Sequence, residues 1–210
     1  MTTITDLIDL FETEAKRDRP DEDTPDVGIV MGSDSDLDVM AGSDSGRPGA
    51  YDALTALGFE EVTDYDDPPS STFTFETWVV SAHRTPDLMY AYAETAADRG
   101  LDVIIAGAGG KSADLPNMTA SIAYPVPVVG VPVQEKSVDS VIGMPTGAPL
   151  TAVDAGKSYN AALSAVQILS RKHDVLRTRL AELHEDRRAG VADVSASLHE
   201  RGTPDFQGRR

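Results

Sequence analysis

A histidine and an arginine stand side by side in the stretch Ser81–Pro86, which reads Ser-Ala-His-Arg-Thr-Pro. An imidazole can exchange a proton near neutral pH, and a guanidinium can hold a phosphate or carboxylate through two parallel hydrogen bonds. Residues 78–80 are apolar and favour a strand, whereas the residues after Pro86 predict a helix. The first turn of that helix would present unpaired N–H groups to an anion beside His83 and Arg84. The same stretch also fits an ordinary strand-to-helix loop, and both interpretations are open at this point.

Two other turns of the same kind carry small and polar residues. Gly32–Asp36 follows the apolar run Val27–Met31, and its hydroxyl and carboxyl groups suit either an anion site or a helix cap. Its spacing matches neither the Walker A loop nor the dinucleotide fingerprint. Gly107–Ser112 is the most glycine-rich turn of the chain, and it lets a ligand approach the backbone closely because few side chains intervene.

These turns belong to a chain in which predicted strands alternate with predicted helices. The alternation predicts an α/β fold with a mostly parallel, doubly wound sheet and helices on both faces. Because each turn follows a strand, we expect all three at the carboxyl edge of the sheet, where such folds bind ligands. The predicted strands are Val27–Met31, Thr72–Val80, Leu101–Ala106, Val126–Val133 and Leu150–Val153, and the main predicted helices are Asp87–Arg99, Ala113–Ala123 and Gly156–Leu169.

The two ends of the chain differ from this alternating region. Residues 3–18 predict a short amphipathic helix, followed by an acidic link up to Pro25. From Ser170 the last helix is expected to continue on an apolar stripe of leucines until the pattern fades beyond Arg188, and Gln207–Arg210 is expected to be disordered. The sequence thus predicts an N-terminal extension over residues 1–25, a catalytic domain over 26–170, and a helix with a tail over 171–210.

The composition narrows the possible functions. The chain has 35 acidic and 18 basic residues, a net charge of −17 and no cysteine. The lack of cysteine excludes disulfides, thiolate metal sites and cysteine nucleophiles, and the negative charge disfavours nucleic acid and anionic membranes as partners. No apolar run reaches the ~20 residues of a membrane span, and no secretion signal is recognisable. We therefore expect a cytoplasmic protein, and the acidic, lysine-poor composition suggests work at high salt, where screening weakens self-repulsion.

Taken together and in order, the three turns resemble those of the 5-(carboxyamino)imidazole ribonucleotide mutases, the class I phosphoribosylaminoimidazole carboxylase catalytic subunit family of purine biosynthesis. The resemblance covers roughly residues 26–170 and becomes specific because several motifs recur in the same order. The motifs are Met31–Asp36, Ser81–Pro86, Ile104–Gly110, Gly130–Gln134, Met144–Pro149, Gly156-Lys157 and Asn160–Ala162.

This resemblance implies a flavodoxin-like, three-layer αβα fold, assembly as a homo-octamer, and transfer of a carboxylate from nitrogen to carbon without metal or organic cofactor. It implies that His83 is the proton shuttle and that Arg84 binds the phosphate of the ribonucleotide. One group must protonate the departing nitrogen and later accept a proton from the ring carbon, and a histidine suits both steps. The other residues implied to bind substrate are Ser33, Asp36, Ser81, Gly107, Ala108, Gly109, Lys111 and Asp114, with backbone from Ala106 to Gly110 lining the base and carboxylate.

One departure from the family pattern matters for the chemistry. The family usually has a histidine followed by Leu-Pro-Gly-Met, whereas this chain has Asp114 followed by Leu-Pro-Asn-Met. A carboxylate cannot act as a neutral imidazole, so we expect Asp114 to mark a variant helix start rather than a change of reaction.

Two other functions remain open from the sequence. The related carboxylase, which joins free carbon dioxide to aminoimidazole ribonucleotide, would share the same motifs. A protein that binds nucleotides without catalysis on the same fold would keep ligand binding when His83 is replaced, because it has no turnover to lose.

Overall fold

The computed structural model describes residues 2–20, 23–43 and 46–207. Its centre is a six-stranded sheet in the order β2-β3-β1-β4-β5-β6, with every strand pair parallel. Without the two-residue β2, this order is the 2-1-3-4-5 order of flavodoxin-like folds. The strands are β1 Val27–Met31, β2 Glu60–Glu61, β3 Thr74–Val79, β4 Val103–Ala108, β5 Val128–Pro132 and β6 Thr151–Ala152.

Helices cover both faces of this sheet, which confirms the predicted α/β class and its three layers. Successive strand residues point to opposite faces, so Ile29 packs in one apolar core and Val30 in the other. Both faces of β1, β4 and β5 are therefore buried, which explains why these strands are continuous apolar runs instead of alternating between apolar and polar residues. The helices are α1 Ile4–Glu14, α2 Leu37–Met40, α3 Ala50–Ala56, α4 Pro86–Glu94, α5 Leu115–Ile122, α6 Val138–Val141, α7 Ser158–Leu169, α8 Asp174–Arg201 and α9 Thr203–Gln207.

The N-terminal helix α1 forms where its amphipathic pattern predicts it. Thr3 caps its first turn reciprocally with Asp6. Phe11 is fully buried and meets the rings of Trp78 and Tyr92 edge-on, at centroid distances of 5.0 and 5.2 Å. The extension is therefore packed against β3 and α4 rather than free in solvent.

The C-terminal prediction is wrong in three respects, although its leucine stripe does pack against the core. The helix does not continue through Ser170, because α7 ends at Leu169 and α8 starts only at Asp174. It also does not fade beyond Arg188, since α8 runs to Arg201 on mostly exposed residues. Gln207 is the last residue of α9 rather than disordered, and 208–210 lie outside the described residues.

Smaller corrections concern element ends. β4 reaches Ala108 instead of stopping at Ala106, because its pairing with β5 continues to the Ala108–Pro132 pair. The helix predicted to end at Arg99 stops being regular at Glu94. The residues Gly-Ser-Asp-Ser occur first from Gly32 and again from Gly42. The loop that contains the second copy has an antiparallel bridge between Gly42 and Pro48, and its residues 44 and 45 lie outside the described part.

A buried ion pair joins β3 to the end of the α4 segment. The Arg99 guanidinium donates to Glu76 Oε1 at 2.7 Å, and each side chain is 1% exposed. The hydroxyl of Tyr65 donates to the other carboxylate oxygen of Glu76. Arg99 also lies over the rings of Phe11 and Tyr92, 4.8 and 4.6 Å from their centroids. This cluster holds α1, β3 and α4 together.

No helix among the described residues combines the length and apolar character needed to cross a membrane.

Candidate active site

The three turns predicted to meet do so at the carboxyl edge of the sheet, beside the point where strand order reverses between β1 and β4. The backbone N–H of Gly32 donates to the Gly107 carbonyl at 3.1 Å, which ties the first turn to the third. Together with the turn after β5 they enclose a cavity of about 320 Å³. Its lining residues are Gly32, Ser33, Ser35, Asp36, Ser81, Ala82, His83, Ala108, Gly109, Gly110, Ser112, Asp114, Leu115, Gln134 and Lys136. We call it the catalytic cavity.

The turn that carries His83 is held by its own hydroxyl groups. The Ser81 N–H donates to Thr85 Oγ1 at 3.0 Å, and the Thr85 N–H donates back to the Ser81 carbonyl at 3.0 Å. The Arg84 N–H donates to Ser81 Oγ at 3.2 Å. These bonds close the turn just before Pro86 starts α4, as predicted, and leave the imidazole of His83 at the cavity wall.

His83 faces a carboxylate. Its Nε2 lies 3.1 Å from Asp114 Oδ2, and the two side chains are 61% and 42% exposed. Asp114 Oδ1 accepts a hydrogen bond of 3.2 Å from Ser140 Oγ. A carboxylate in this position selects the imidazole form with a proton on the facing nitrogen, or pairs with the imidazolium. The contact orients the ring while leaving it open to the cavity.

Asp114 stands at the start of α5, as predicted, but its side chain makes no cap hydrogen bond there. It is committed to His83 and Ser140 instead. The amide of Asn117 donates to the Ser140 carbonyl at 2.8 Å. The two residues that depart from the family pattern, Asp114 and Asn117, are therefore linked through one serine on α6.

Asp36 lines the catalytic cavity, and Arg84 lies near enough for its charge to act on the Asp36 carboxyl. Burial raises the pKa of Asp36, which is 6% exposed, and hydrogen bonds from the Ser33 and Gly109 backbone and the charge of Arg84 oppose that rise. Arg84 Nη2 also donates to the Gly32 carbonyl at 2.9 Å. A Cβ on Gly109 would lie 3.1 Å from Asp36 Oδ1, so glycine is needed for this close approach.

Some predicted site residues do not line the cavity. Gly107 faces Met40 inside the sheet, where a Cβ would lie 2.2 Å from the methionine sulfur. Lys111 is exposed and outside the lining, and Arg84 reaches the site only from its edge, through Gly32 and Ser81. The lining includes Gly110, the end of the predicted backbone wall, and adds residues that were not predicted to bind substrate: Ser35, Ala82, Ser112, Leu115, Gln134 and Lys136.

The signal for Gln134 and Lys136 was available in the sequence. They follow β5, which pairs directly with β4, so their turn must lie at the same edge of the sheet. Among the described residues, no group of three or more His, Asp or Glu side chains is placed to hold a metal ion. The site offers instead one imidazole, two carboxylates, Lys136, Arg84 and a glycine-lined wall.

Fold and site together define an α/β protein of flavodoxin-like topology with a polar cavity at the carboxyl edge of its sheet, in which a histidine faces a carboxylate. The chain belongs to the AIR carboxylase family, which matches residues 26–189.

This chain is similar in sequence to two enzymes of the same name and similar in structure to a solved protein. The N5-carboxyaminoimidazole ribonucleotide mutase of Mycobacterium tuberculosis (strain CDC 1551 / Oshkosh) is 44% identical over 184 residues, covering 85% of this chain and 90% of the relative. The enzyme of the same name from Bacillus subtilis (strain 168) is 42% identical over 182 residues, covering 83% and 98%. The crystal structure of Treponema denticola PurE shares the fold with a TM-score of 0.62 at 20% identity, over 82% of this chain and 97% of that one.

Proposed function

We propose that this chain is an N5-carboxyaminoimidazole ribonucleotide mutase, an isomerase that moves a carboxylate from N5 to C4 of the imidazole to give 4-carboxy-5-aminoimidazole ribonucleotide. The observation that carries the proposal is His83, oriented by Asp114 at the wall of a cavity that also holds Asp36. Enzymes with this name that are 42–44% identical to the chain support it.

The reaction needs one proton to leave the enzyme and one to return. As the bond between N5 and the carboxylate breaks, the protonated imidazole of His83 donates a proton to the nitrogen, and carbon dioxide is released into the cavity. C4 then forms a bond to that carbon dioxide, and the now neutral imidazole accepts the C4 proton. His83 ends in its starting state, so the step balances without an added acid or base.

The remaining side chains position the substrate. Arg84, at the edge of the cavity, binds the ribonucleotide phosphate through charge-assisted hydrogen bonds. Ser33 and Asp36 bind the ribose, with Asp36 fixed by backbone donors from Ser33 and Gly109. Backbone of Ala108, Gly109 and Gly110 forms a wall without bulky side chains, against which carbon dioxide stays close to C4.

Asp114 takes part by holding the imidazole rather than by replacing a second histidine. Its contact with Ser140 fixes the carboxylate, and the carboxylate accepts a hydrogen bond from the facing ring nitrogen of His83 and so orients the imidazole. The substitution is thus compatible with the same chemistry.

The experiment that tests the function offers the purified protein two substrates. One reaction contains the carbamate, N5-carboxyaminoimidazole ribonucleotide, and the other contains aminoimidazole ribonucleotide with dissolved carbon dioxide. We expect rapid product formation from the carbamate and little from the second mixture. Equal rates would identify the direct carboxylase, for which the family is named, and no turnover of either would leave a nucleotide-binding protein.

We further infer a homo-octamer in the cytoplasm of a cell with high internal salt. The net charge of −17 supports the inference of high salt, because the acidic groups of the folded chain repel one another strongly unless salt screens them. Exposed apolar residues on α8, among them Val191 and Val194, are 70% and 54% accessible in the isolated chain and support assembly. Sedimentation of the full chain, and of a chain truncated after Arg188, tests whether α8 contributes to the octamer; an unchanged octamer would exclude it.

A further inference from the structure

A second cavity lies beside the catalytic cavity and is not used by the proposed reaction. It has a volume of about 850 Å³, compared with about 320 Å³ for the catalytic cavity. Gln134, in the turn after β5, lines both. The other lining residues are Arg47, Pro48, Val133, Glu135, Ala155, Gly156, Lys157, Tyr159, Asn160 and Arg187. We call it the basic cavity.

Three cations surround the basic cavity, and they come from three separate parts of the chain. Arg47 precedes α3, Lys157 precedes α7, and Arg187 lies on α8. Within the described part of the chain, none of the three forms an ion pair with a carboxylate, and Glu135 is the one acidic residue in the lining. Such clustering of uncompensated positive charge is opposite to the character of a chain with net charge −17.

The three cations are exposed, and one of them is placed by an aromatic ring. The guanidinium of Arg187 lies over the ring of Tyr159, 4.9 Å from its centroid, a contact that leaves guanidinium N–H groups able to donate to an anion. Gly156 adopts a φ of +67°, and a Cβ there would lie 3.9 Å from an Arg47 nitrogen. The Gly156 N–H donates to the Pro132 carbonyl at 2.8 Å, so the loop before α7 is anchored to β5.

We propose that the basic cavity binds a nucleoside monophosphate at a site separate from the catalytic cavity. Three cations that line one cavity supply the positive charge that a phosphate dianion needs. The volume of about 850 Å³ is far larger than inorganic phosphate requires and lies in the range of pockets for small organic ligands. The amides of Gln134 and Asn160 supply donors and acceptors for a sugar and base. This site does not depend on the reaction catalysed next to it.

The test is isothermal titration calorimetry of the full-length protein with AMP, ribose 5-phosphate and inorganic phosphate. The probe variant is Lys157→Ala/Arg187→Ala, which removes two of the three cations. Arg171→Ala is the matched control, because Arg171 is exposed, basic and outside both cavities. Arg84→Ala reports on binding in the catalytic cavity. Circular dichroism confirms that each variant is folded, and the readout requires no turnover, so it is independent of the proposed function.

We expect AMP to bind the wild-type protein, the Arg171→Ala variant and the Arg84→Ala variant with affinities within about twofold of one another. The double variant should bind it at least about tenfold more weakly, and inorganic phosphate should bind the wild type at least about tenfold more weakly than AMP. The proposal is overturned if the double variant binds AMP like the wild type, if Arg84→Ala abolishes binding, or if the wild type does not bind AMP. Equal affinity for phosphate and AMP would overturn the assignment to a nucleotide.

Discussion

Two contacts between acidic and basic side chains in this molecule have opposite surroundings. Glu76 and Arg99 meet at 2.7 Å with each side chain 1% exposed, whereas Asp114 and His83 meet at 3.1 Å with 42% and 61% of their side chains exposed. Burial lowers the pKa of Arg99, but its interactions with Glu76, Tyr92 and Tyr65 together outweigh burial and raise that pKa, which favours the charged guanidinium. The open pair faces the catalytic cavity instead.

The difference separates stability from chemistry. The sealed pair lies outside the catalytic cavity and holds elements together, here α1, β3 and the end of the α4 segment. A pair at the wall of a cavity contributes little to stability because water screens it, and a bound substrate can reach it.

The largest expected effect on stability comes from the buried pair. Glu76→Gln leaves the Arg99 guanidinium buried without a carboxylate, and we expect a loss of about 3 kcal/mol in the free energy of unfolding. Asp102→Asn, which breaks the exposed contact of 3.1 Å with Lys172, should cost less than about 1 kcal/mol. Chemical denaturation measures both. If the two variants lose equal stability, burial does not distinguish these pairs.

A smaller effect, on substrate binding, is expected for Arg84→Ala. The variant loses a charge-assisted contact to the substrate phosphate, worth about 2 kcal/mol, so KM for the carbamate should rise about 30-fold with little change in kcat. Steady-state kinetics measure this. Arg84→Lys is the matched variant: it keeps the charge but loses the two parallel hydrogen bonds of the guanidinium, so its KM should be intermediate. An unchanged KM in Arg84→Ala would remove Arg84 from the phosphate site.

Asp114→Asn tests whether Asp114 positions His83 in the open pair. An amide can present a donor as well as an acceptor to the ring nitrogen, so it no longer fixes the orientation of the imidazole, and we expect kcat to fall about tenfold while KM stays close to that of the wild type. Ser140→Ala removes only the hydroxyl behind Asp114 and should lower kcat about twofold. If Asp114→Asn raises KM and leaves kcat unchanged, Asp114 binds substrate rather than positioning His83.

The smallest effect concerns Asp36 and depends on pH. Burial raises its pKa in the folded state above the usual value of 3.8, so the folded protein binds more protons than the unfolded chain and loses stability as pH rises through that range. Asp36→Asn should therefore raise the melting temperature at pH 7 and bring no gain below about pH 3, where the carboxyl is neutral in both states. Thermal melts at the two pH values check this. A variant less stable than the wild type at pH 7 would contradict it.

Much of the fold could be predicted from local sequence. β1 is predicted to the residue because Val27–Met31 is a continuous apolar run between polar segments. The meeting of the turns after β1, β3 and β4 follows from parallel strands alone. β2 could not be predicted because two residues carry no periodicity. The length of α8 was underestimated because Gly190 interrupts its helical pattern, although the helix runs through it to Arg201.

Sequence patterns could not predict which charged side chains meet in the fold. His83 and Asp114 are 31 positions apart, and Glu76 and Arg99 are 23 apart, so nothing local predicts that either pair meets. Lys111 and Lys136 are both lysines in polar turns at the same sheet edge, yet only Lys136 lines the catalytic cavity. Whether a side chain in such a turn points into the cavity or into solvent depends on tertiary packing, which a local sequence pattern does not specify.

The central claim is that His83 moves the proton and does not support the fold. Its most direct test is to measure turnover of the carbamate and the free energy of unfolding for His83→Asn in the same preparation. We expect turnover to fall about a thousandfold while the unfolding free energy changes by less than about 0.5 kcal/mol. A variant that keeps wild-type turnover would contradict the account, as would one that loses activity only because it unfolds.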